Sequence, residues 1–571
     1  MTRPETPEIH EFEERPINAD LPLATEVAIR RAEAFDMAEE PIVEAAPRRQ
    51  AGRIARSTAF FSAATAASRV AGLAREVVAA GYFGVKGPMS AFTIAFQVPN
   101  LIRALFADAA LQPAFVPVFT ELLGEKRYKE AFRLASTLLL LATMVLGSLT
   151  ALFILLAPVI MPVFIPNFER QAVIDLTITL SQVLFPILIL LGISGIVVGI
   201  LNSYDRFGAF AISPLFWNLT IIAVLVAIEP LFSGEDRIYA YAIGILVGTL
   251  VQLLIPTWDL RHTPFRFSFS LDWRHPGVRR VLLLMLPVTI SLGLINFNAL
   301  INTFLAGGIS DEAVAGVDKA FRLYMLPQGI FSVAISTVLF PQLARLAARK
   351  DHEGMQETIG TGMRLILLML LPAMAAMIVL PDAMTRLVYE GGKFSAEDTQ
   401  LVSTALLFFS FSLIFSGINL LLSRSFFSLQ LPWAVTWLSL GNLVINIVAS
   451  VLFLQFGWGI GGLVLGTAVA DGAMVIGQVI LLRRALGGQL QLGTIRDGLA
   501  GMAMATLWFA IAAFGVYHGL DWLLGRSLIS QIISVGGGLA AGAGAYGYLV
   551  LSLEVPEAHQ LWARVAPRLG R

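Results

Sequence analysis

The sequence predicts an all-α polytopic membrane protein with about fourteen transmembrane helices. Hydrophobic residues make up 56% of the 571 positions and charged residues only 14%, a balance that is unusual for a water-soluble globular chain. From about residue 57 onward, apolar runs of roughly twenty residues recur, and each can cross a hydrocarbon core of ~30 Å as a helix.

Fourteen of these runs are long enough to span a bilayer. An even number of spans leaves both ends of the chain on the same side of the membrane. The predicted spans cover residues 57–83, 88–112, 132–161, 174–202, 209–229, 237–258, 278–306, 313–340, 361–380, 400–424, 433–455, 458–482, 495–519 and 527–553.

The longest loop between spans follows the sixth span and divides the first twelve into two sets of six. A weak sequence similarity between the two sets supports this division. The second span is followed by Phe115-Val116-Pro117, and the eighth ends in the similar Phe340-Pro341. Two six-helix lobes around a central cavity are a common transporter plan. The predicted units are a disordered cytoplasmic tail (1–56), an N-lobe (57–258), an inter-lobe cytoplasmic loop (259–277), a C-lobe (278–484) and two appended helices with a C-terminal tail (485–571).

Positive charge is distributed unevenly between the loops, although the formal net charge is zero and gives no reason to expect nucleic-acid binding. If the N-terminus is inside, the inside loops hold most of the Lys and Arg, including Lys126, Arg127, Arg349 and Lys350. Residues 1–56 lack the apolar core of a cleavable signal peptide. We therefore expect both termini to be cytoplasmic.

No catalytic constellation stands out in the sequence. Cysteine is absent, which excludes disulfides, thiolate metal sites and a cysteine nucleophile. The run Gly391-Gly392-Lys393-Phe394 is too short for a phosphate-binding loop, and there is no H-E-x-x-H motif. All six histidines lie outside the predicted spans or at their edges. The sequence therefore predicts that the chain is not an enzyme and needs no metal or ATP for a reaction.

The informative feature is a set of arginines inside apolar spans. Arg69 and Arg75 fall in the first span, Arg103 in the second and Arg322 in the eighth. Each costs roughly 2.5–3.5 kcal/mol near the centre of a membrane helix, so four cost about 10 kcal/mol unless they face a cavity or a partner. Arg69 and Arg75 are about 120° apart around an ideal helix, so both can border a wide cavity.

Two interpretations of these arginines are open. They can pair with acids in the same spans, namely Glu76, Asp108 and Asp318. Alternatively, they line a cationic cavity, and the charge count favours this because Lys319 adds a fifth cation against three acids. Guanidinium groups bind phosphate and carboxylate in bidentate geometry, so such a cavity is suited to an anion.

At these residues the chain resembles the MurJ (MviN) family of lipid II flippases, in the multidrug/oligosaccharidyl-lipid/polysaccharide (MOP) exporter superfamily. The resemblance covers roughly residues 57–553. It is carried by SRVAGLAREVVAAGYFG at 68–84, AFTIAFQVPNLIRALFADAALQPAFVPVF at 91–119, GILNSYDRFGAFAISPLFWNL at 199–219, FRLYMLPQGIFSVAISTVLFPQLAR at 321–345 and VYEGGKFSAEDT at 388–399.

The resemblance implies a transporter of the bacterial inner membrane that flips lipid II, the lipid-linked peptidoglycan precursor, by alternating access. Cell-wall synthesis proteins and membrane lipids are the further partners that it implies. The substrate-binding residues that it implies are Arg69, Arg75, Arg103, Arg322, Ser68, Asn100 and Asn218.

Two positions depart from the family pattern. Family members often have an aspartate at the start of the second helix and another before the eighth-helix arginine, where this chain has Ser90 and Phe321. Some members bind sodium, and the nearest matches to that site here carry no carboxylate, which predicts weak binding. No cofactor is expected, and sodium and the membrane potential are the candidate driving forces. The alternative role for the residues of this site is to make hydrogen bonds between packed helices. The residues of the candidate sodium site are Asn302, Asn442, Asn446 and Thr467.

Two other functions are compatible with the sequence. The chain could export a different lipid-linked oligosaccharide or a drug, as other members of the superfamily do. It could also be a membrane scaffold that transports nothing, with its arginines fully paired to acids. Preferential binding of lipid II over other polyprenyl diphosphates would separate the flippase from the other exporters. Four arginines that are each paired to an acid, with no cavity, would favour the scaffold.

Overall fold

The computed structural model describes residues 48–103, 111–164, 171–204, 206–269, 271–488, 492–553, 555 and 557–559. Within these ranges, side chains are described from Ala64 onward, except at 102–103, 111–113, 164, 286–288, 290–296 and 492–497. Residues 63–571 form one compact unit and residues 1–62 another, and the account below concerns the larger unit.

The described residues form α-helices, the first of which begins in the smaller unit and continues into the larger one. The first eight are α1 (Arg48–Phe83), α2 (Gly87–Arg103), α3 (Leu111–Gly124), α4 (Tyr128–Ile160), α5 (Gln171–Leu184), α6 (Ile187–Ser203), α7 (Gly208–Ile228) and α8 (Ile238–Asp259). The next eight are α9 (Pro276–Gly307), α10 (Ala313–Pro327), α11 (Val333–Ala348), α12 (His352–Val379), α13 (Pro381–Tyr389), α14 (Ala396–Ser428), α15 (Pro432–Gln455) and α16 (Gly459–Ala485). The last two are α17 (Leu492–Leu524) and α18 (Leu528–Ser552).

The all-α membrane fold predicted from the sequence is confirmed, because every predicted span coincides with one helix or with two consecutive helices. Eleven segments of the described residues are long and apolar enough to cross a membrane. The other three predicted spans are the first, the second and the seventh, and each includes residues or side chains outside the described part. The chain is a multi-pass membrane protein.

Proline explains two of the places where the helices differ from the predicted spans. The fourth span is interrupted at Phe185-Pro186, because a proline inside a helix removes one backbone donor and clashes with the preceding turn. The eighth span changes into a π-turn at Gln328–Ser332, directly after Pro327, and then continues as α11 to Ala348. The bend lies beside the charged residues of α10.

Helix boundaries also differ at two other places. The first helix begins at Arg48, ahead of the predicted start at residue 57, so the end of the predicted tail is helical. The helix of the ninth span begins at His352 rather than at residue 361. The first turns of this helix are polar, and hydropathy detects only the apolar part of a helix.

The two sets of helices pack in the same pattern. In the first set, α2 packs on α5, α4 on α6, and α6 and α7 both pack on α8. In the second set, α10 packs on α14, α12 on α14, and α14 and α15 both pack on α16. The appended helices α17 and α18 pack on each other and, through α17, on α12. This repeated pattern is the arrangement that two related lobes would produce.

Candidate functional site

A cavity of about 500 Å³ lies between helices of the first set and α10. Its walls come from α1, α2, α6, α7 and α8, with one arginine from α10. Five of the seven substrate-binding residues predicted from the sequence line it, namely Ser68, Arg75, Asn100, Asn218 and Arg322. Apolar and aromatic side chains complete the wall, including Phe92, Phe96, Leu191, Trp217 and Tyr241.

A buried ion cluster forms the charged part of the cavity wall. The Glu76 carboxylate accepts hydrogen bonds from Arg75 at 2.5 Å and from Lys319 at 2.7 Å, and it forms an ion pair with Arg322 at 3.0 Å. The Nε of Arg322 also donates to Asp318 at 2.9 Å. Lys319 is completely buried and Arg75 is only 7% exposed. Three cations thus share two carboxylates, and the cluster carries one excess positive charge.

These contacts bear on both interpretations of the arginines. Arg75 and Arg322 are paired with acids, as the ion-pair interpretation predicts. The pairing is incomplete, because Lys319 adds a third cation to the same carboxylates. Asp108, the third acid of that interpretation, lies outside the described residues.

Trp217 on α7 holds the Arg75 guanidinium in place. The Cζ of Arg75 lies 4.6 Å from the centroid of the indole ring, which is cation–π geometry. The indole Nε1 in turn donates to Thr249 on α8 at 3.1 Å. The two helices approach closely at Gly248, where a Cβ would lie 3.0 Å from the carbonyl oxygen of Trp217. The buried Nε of Arg75 makes no hydrogen bond within the described part of the chain.

Asn218 presents an unused acceptor in the same wall. Its Nδ2 donates to the carbonyl of Pro214 at 2.9 Å and to that of Ser68 at 3.4 Å. α1 packs directly against this amide, and even a Cβ at Gly72 would lie at an ordinary contact distance of 3.7 Å from it. The Oδ1 of Asn218 is buried and has no hydrogen-bond partner among the described residues. It is therefore available to a polar ligand.

The remaining two predicted binding residues are not in the described lining. Arg69 is exposed, and its Nη1 lies 3.0 Å from where a Cβ on Gly329 would be, next to the π-turn. Arg103 is the last residue of α2, and its side chain lies outside the described part. The structure thus brings Arg75 and Arg322 together and leaves Arg69 apart from them.

Sequence reasoning assigned no binding role to several residues of this site. Lys319, Trp217 and Tyr241 belong to the cluster or the wall, as do Thr249 and Gln252. The charge of Lys319 within an apolar span was a usable signal. The others are ordinary residues of membrane helices, and only the packing of α7 and α8 against α1 places them here.

The two departures from the family pattern have distinct surroundings. Ser90 is completely buried, and its Oγ accepts from the backbone amide of Ala315 in the first turn of α10 at 3.2 Å. A neutral hydroxyl thus caps a helix end here. Phe321 is 43% exposed, and its ring lies 5.7 Å from the rings of both Tyr324 and Phe409.

The four candidate sodium ligands fall into two contact sets. Asn302 and Asn446 both direct their amide Nδ2 to the Thr467 hydroxyl, at 3.5 Å and 2.9 Å. Asn442 instead donates to Asp471 at 3.2 Å, an acid on α16 that the sequence analysis did not single out. The described residues contain no group of three or more His, Cys, Asp or Glu that could hold a metal ion.

The sequence profile of the family "Lipid II flippase MurJ" matches residues 79–532. The chain belongs to the lipid II flippase MurJ family. The family resemblance stated above is thereby confirmed. A flippase is a transporter, which agrees with the prediction that the chain is not an enzyme.

One curated relative and two solved structures illustrate what the chain is similar to. A "Probable lipid II flippase MurJ" of Rhizobium meliloti (strain 1021) is 33% identical over 366 residues, which are 62% of this chain and 67% of the relative. The solved structure "Lipid II flippase MurJ, inward closed conformation" has a TM-score of 0.71 at 22% identity and covers 86% of this chain and 99% of its own. An inward-facing multidrug resistance MATE family transporter of the MOP superfamily has a TM-score of 0.62 at 14% identity, with coverage of 74% and 94%. The two structural matches show a common fold.

Proposed function

We propose that this chain moves lipid II from the inner to the outer leaflet of the bacterial cytoplasmic membrane. The observation that carries the proposal is the cluster of the buried Arg75 and Lys319 with the half-buried Arg322, which bears one more positive charge than Glu76 and Asp318 neutralise. The cluster forms part of the wall of a cavity of about 500 Å³. An anionic headgroup supplies the missing negative charge.

The roles of the lining residues follow from their chemistry. The fork-shaped guanidinium groups of Arg75 and Arg322 bind the pyrophosphate, because they match phosphate oxygens in bidentate geometry. The amides of Asn100 and Asn218 and the hydroxyl of Ser68 bind the sugars and the peptide. Arg69 and Arg103 extend the positive charge along α1 and α2, and the polyprenyl tail lies against α17 and α18.

The orientation follows from the positive-inside rule, with both termini in the cytoplasm. In this orientation, the end of α1 at Phe83 and the start of α10 lie toward the outer face. Two hydrogen bonds donated by backbone amides join the helix sets there. The amide of Lys393 donates to the carbonyl of Gly81 at 2.8 Å, and the amide of Ala315 donates to Ser90.

Alternating access requires these outer contacts to part while the cavity closes toward the cytoplasm. The ion cluster couples the substrate to this change, since Glu76 belongs to the first set of helices and both Lys319 and Arg322 belong to the second. A pyrophosphate that binds Arg322 competes with Glu76 for the same donors. Substrate binding thereby weakens one link between the two sets.

The membrane potential can drive the export of an anionic headgroup. Moving one negative charge outward across an inside-negative membrane releases about 2.3 kcal/mol per 100 mV. A headgroup with several negative charges therefore needs no nucleotide hydrolysis. Sodium is a second candidate for the driving force.

The test is complementation of a bacterium depleted of its own lipid II flippase. The wild-type chain should restore growth and cell shape, and Arg103→Ala and Arg75→Ala should insert normally but fail to do so. Failure of the wild-type chain, despite normal membrane insertion, would count against the proposal. Rescue by both variants would instead show that Arg75 and Arg103 are not needed to bind the substrate.

Export of a drug or of another polyprenyl-linked sugar is the second candidate, favoured by the fold shared with a MATE transporter. Excess positive charge disfavours cationic drugs but is compatible with any polyprenyl diphosphate. Competition between lipid II and other polyprenyl diphosphates for the purified protein distinguishes these substrates. Equal affinity for all of them would support the broader exporter.

A further inference from the structure

The short helix α13 contacts both the ion cluster and the appended helices. It contains nine residues, Pro381–Tyr389, and it packs on α14 and on α18. Its two contact residues, Arg386 and Tyr389, are three positions apart, which is about 4.5 Å along the helix axis. A displacement of so short a helix therefore moves both side chains together.

Tyr389 holds Lys319 in its position beside Glu76. The Nζ of Lys319 lies 5.6 Å from the centroid of the tyrosine ring, within the range of a cation–π contact. The tyrosine hydroxyl donates to the backbone carbonyl of Lys319 at 3.3 Å. Tyr389 is only 2% exposed, and its ring packs against Phe394 with 5.7 Å between the centroids. Tyr389 thus contacts both the charge and the backbone of Lys319.

The position of Lys319 decides how many acceptor sites Glu76 offers to the two arginines. Lys319 occupies Oε2 of Glu76 at 2.7 Å, while Arg75 and Arg322 both contact Oε1. A guanidinium group binds both oxygens of a carboxylate when both are open to it. If Lys319 moves away, the arginines therefore bind Glu76 more fully and are less available to a phosphate.

Arg386 fixes the other side of α13 to α17. Its Nη2 donates to the Tyr517 hydroxyl at 2.6 Å and to Asp521 at 3.1 Å. The side chains of Arg386 and Asp521 are 13% and 20% exposed, so the contact is largely shielded from solvent. The position of α13, and with it that of Tyr389, therefore depends on the position of α17.

We infer that α13 couples the appended helices to the anion site, with Tyr389 as a positioning residue for Lys319. The inference rests on the proposed function, because it concerns the arginines that bind the pyrophosphate there. Coupling between two sites is reciprocal, so occupancy of α17 and α18 by a polyprenyl tail favours binding of the headgroup, and the converse. A pyrophosphate that carries a lipid tail thereby gains an advantage over a free one.

The test is calorimetric titration of inorganic pyrophosphate into the purified full-length chain in detergent. This probe has no tail, so direct contacts with α17 and α18 do not contribute to its affinity. We expect Arg386→Gln and Tyr389→Leu each to bind pyrophosphate several-fold more weakly than the wild type, because both release Lys319. The double variant should bind no more weakly than Tyr389→Leu alone, since the two changes act on one path. Tyr389→Phe keeps the ring and should bind more tightly than Tyr389→Leu.

Arg364→Gln is the matched control. It removes the ion pair with Glu557, which ties the appended helices to α12 rather than to α13. This variant should bind pyrophosphate with wild-type affinity, whereas a general loosening of the appended helices would weaken binding as much as Arg386→Gln does. The comparison of Arg364→Gln with Arg386→Gln decides the inference even if Tyr389→Leu does not fold.

Three results would overturn the coupling and leave the proposed anion site intact. Arg386→Gln could bind pyrophosphate as tightly as the wild type, Arg364→Gln could weaken binding equally, or the effects of Arg386→Gln and Tyr389→Leu could be additive. A wild-type chain that binds no pyrophosphate would instead contradict the anion site itself, and the coupling with it.

Discussion

Glu76 on α1 and Lys319 on α10 form an ion pair between the two sets of helices, with 2.7 Å between Oε2 and Nζ. The side chains are 5% and 0% exposed, so both charges are removed from water. The free-energy cost of desolvating two charges is offset only if the geometry of the ion pair is good and further hydrogen bonds are made. Here Arg75 supplies a further hydrogen bond to the same carboxylate, and Arg322 adds a further ion pair.

Glu76→Gln should destabilise the protein by about 3–5 kcal/mol, because it leaves three buried or half-buried cations with Asp318 as their remaining acid. The measurement is chemical or thermal unfolding in detergent. The double variant Glu76→Gln/Lys319→Met should recover much of the loss, since it removes one buried charge of each sign. An equal loss in the exposed control Glu397→Gln would show that the effect does not come from the cluster.

Arg75→Lys should weaken lipid II binding by about tenfold or more, although the charge is retained. Lysine lacks the planar fork and loses the contact with Trp217, which lies 4.6 Å from the guanidinium carbon. One lost charge-assisted hydrogen bond is worth about 1.5–3 kcal/mol, and 1.4 kcal/mol corresponds to a tenfold change. The measurement is lipid II binding to the purified protein. Arg133→Lys, at a side chain that is 56% exposed, is the matched control and should bind normally.

The sequence was sufficient to predict the helices and five of the residues that line the cavity. A membrane span must satisfy its own backbone hydrogen bonds, so apolar length alone locates it. Arginines in such spans are costly enough to indicate a cavity, and Arg75 and Arg322 do line one. The sequence also shows Pro186 and Pro327, but it does not show at which residue the helix beside each proline ends.

Contacts between distant helices could not be predicted in the same way. Glu76 and Lys319 are 243 positions apart, and no local periodicity specifies that pairing. Asp471 was overlooked because its neighbours Ser412, Asn419 and Asn442 come from two other helices. Only the structure shows that these neutral side chains surround Asp471.

Gly392→Ala should open the outer contact between the helix sets. Gly392 has a φ of +59°, and a Cβ there would lie 2.2 Å from the carbonyl oxygen of Gly81, too close to be accommodated without movement. The chain contains no cysteine, so Val85→Cys gives a single reporter at a completely buried position in this region. We expect maleimide to label Val85→Cys slowly, and faster when Gly392→Ala is added.

Gly457→Ala is a suitable control for this experiment. Gly457 also has a positive φ, +78°, but nothing lies within 4 Å of a Cβ at that position. It therefore tests backbone strain without a collision. Equal labelling in both glycine variants would mean that strain, rather than contact with Gly81, controls access to residue 85.

Arg386→Gln should loosen the appended helices α17 and α18 without unfolding the two sets. The Nη2 of Arg386 donates to the Tyr517 hydroxyl at 2.6 Å and to Asp521 at 3.1 Å, which ties α13 to α17. Arg364 in the middle of α12 forms a second ion pair, with Glu557 beyond the end of α18. Arg364 precedes and Arg386 follows the apolar part of α12, so the two pairs hold the appended helices at opposite ends of that span.

Because hydrogen bonds to charged groups contribute about 1.5–3 kcal/mol, losing one pair should lower local more than global stability. Hydrogen exchange followed by mass spectrometry should show faster exchange in α17 and α18 of Arg386→Gln and unchanged exchange in α2 and α6. Arg349→Gln, at an exposed arginine, should leave the whole exchange map unchanged. Uniformly faster exchange in Arg386→Gln would instead mean that the appended helices and both sets unfold as one cooperative unit, and the two ion pairs would then stabilise the whole bundle.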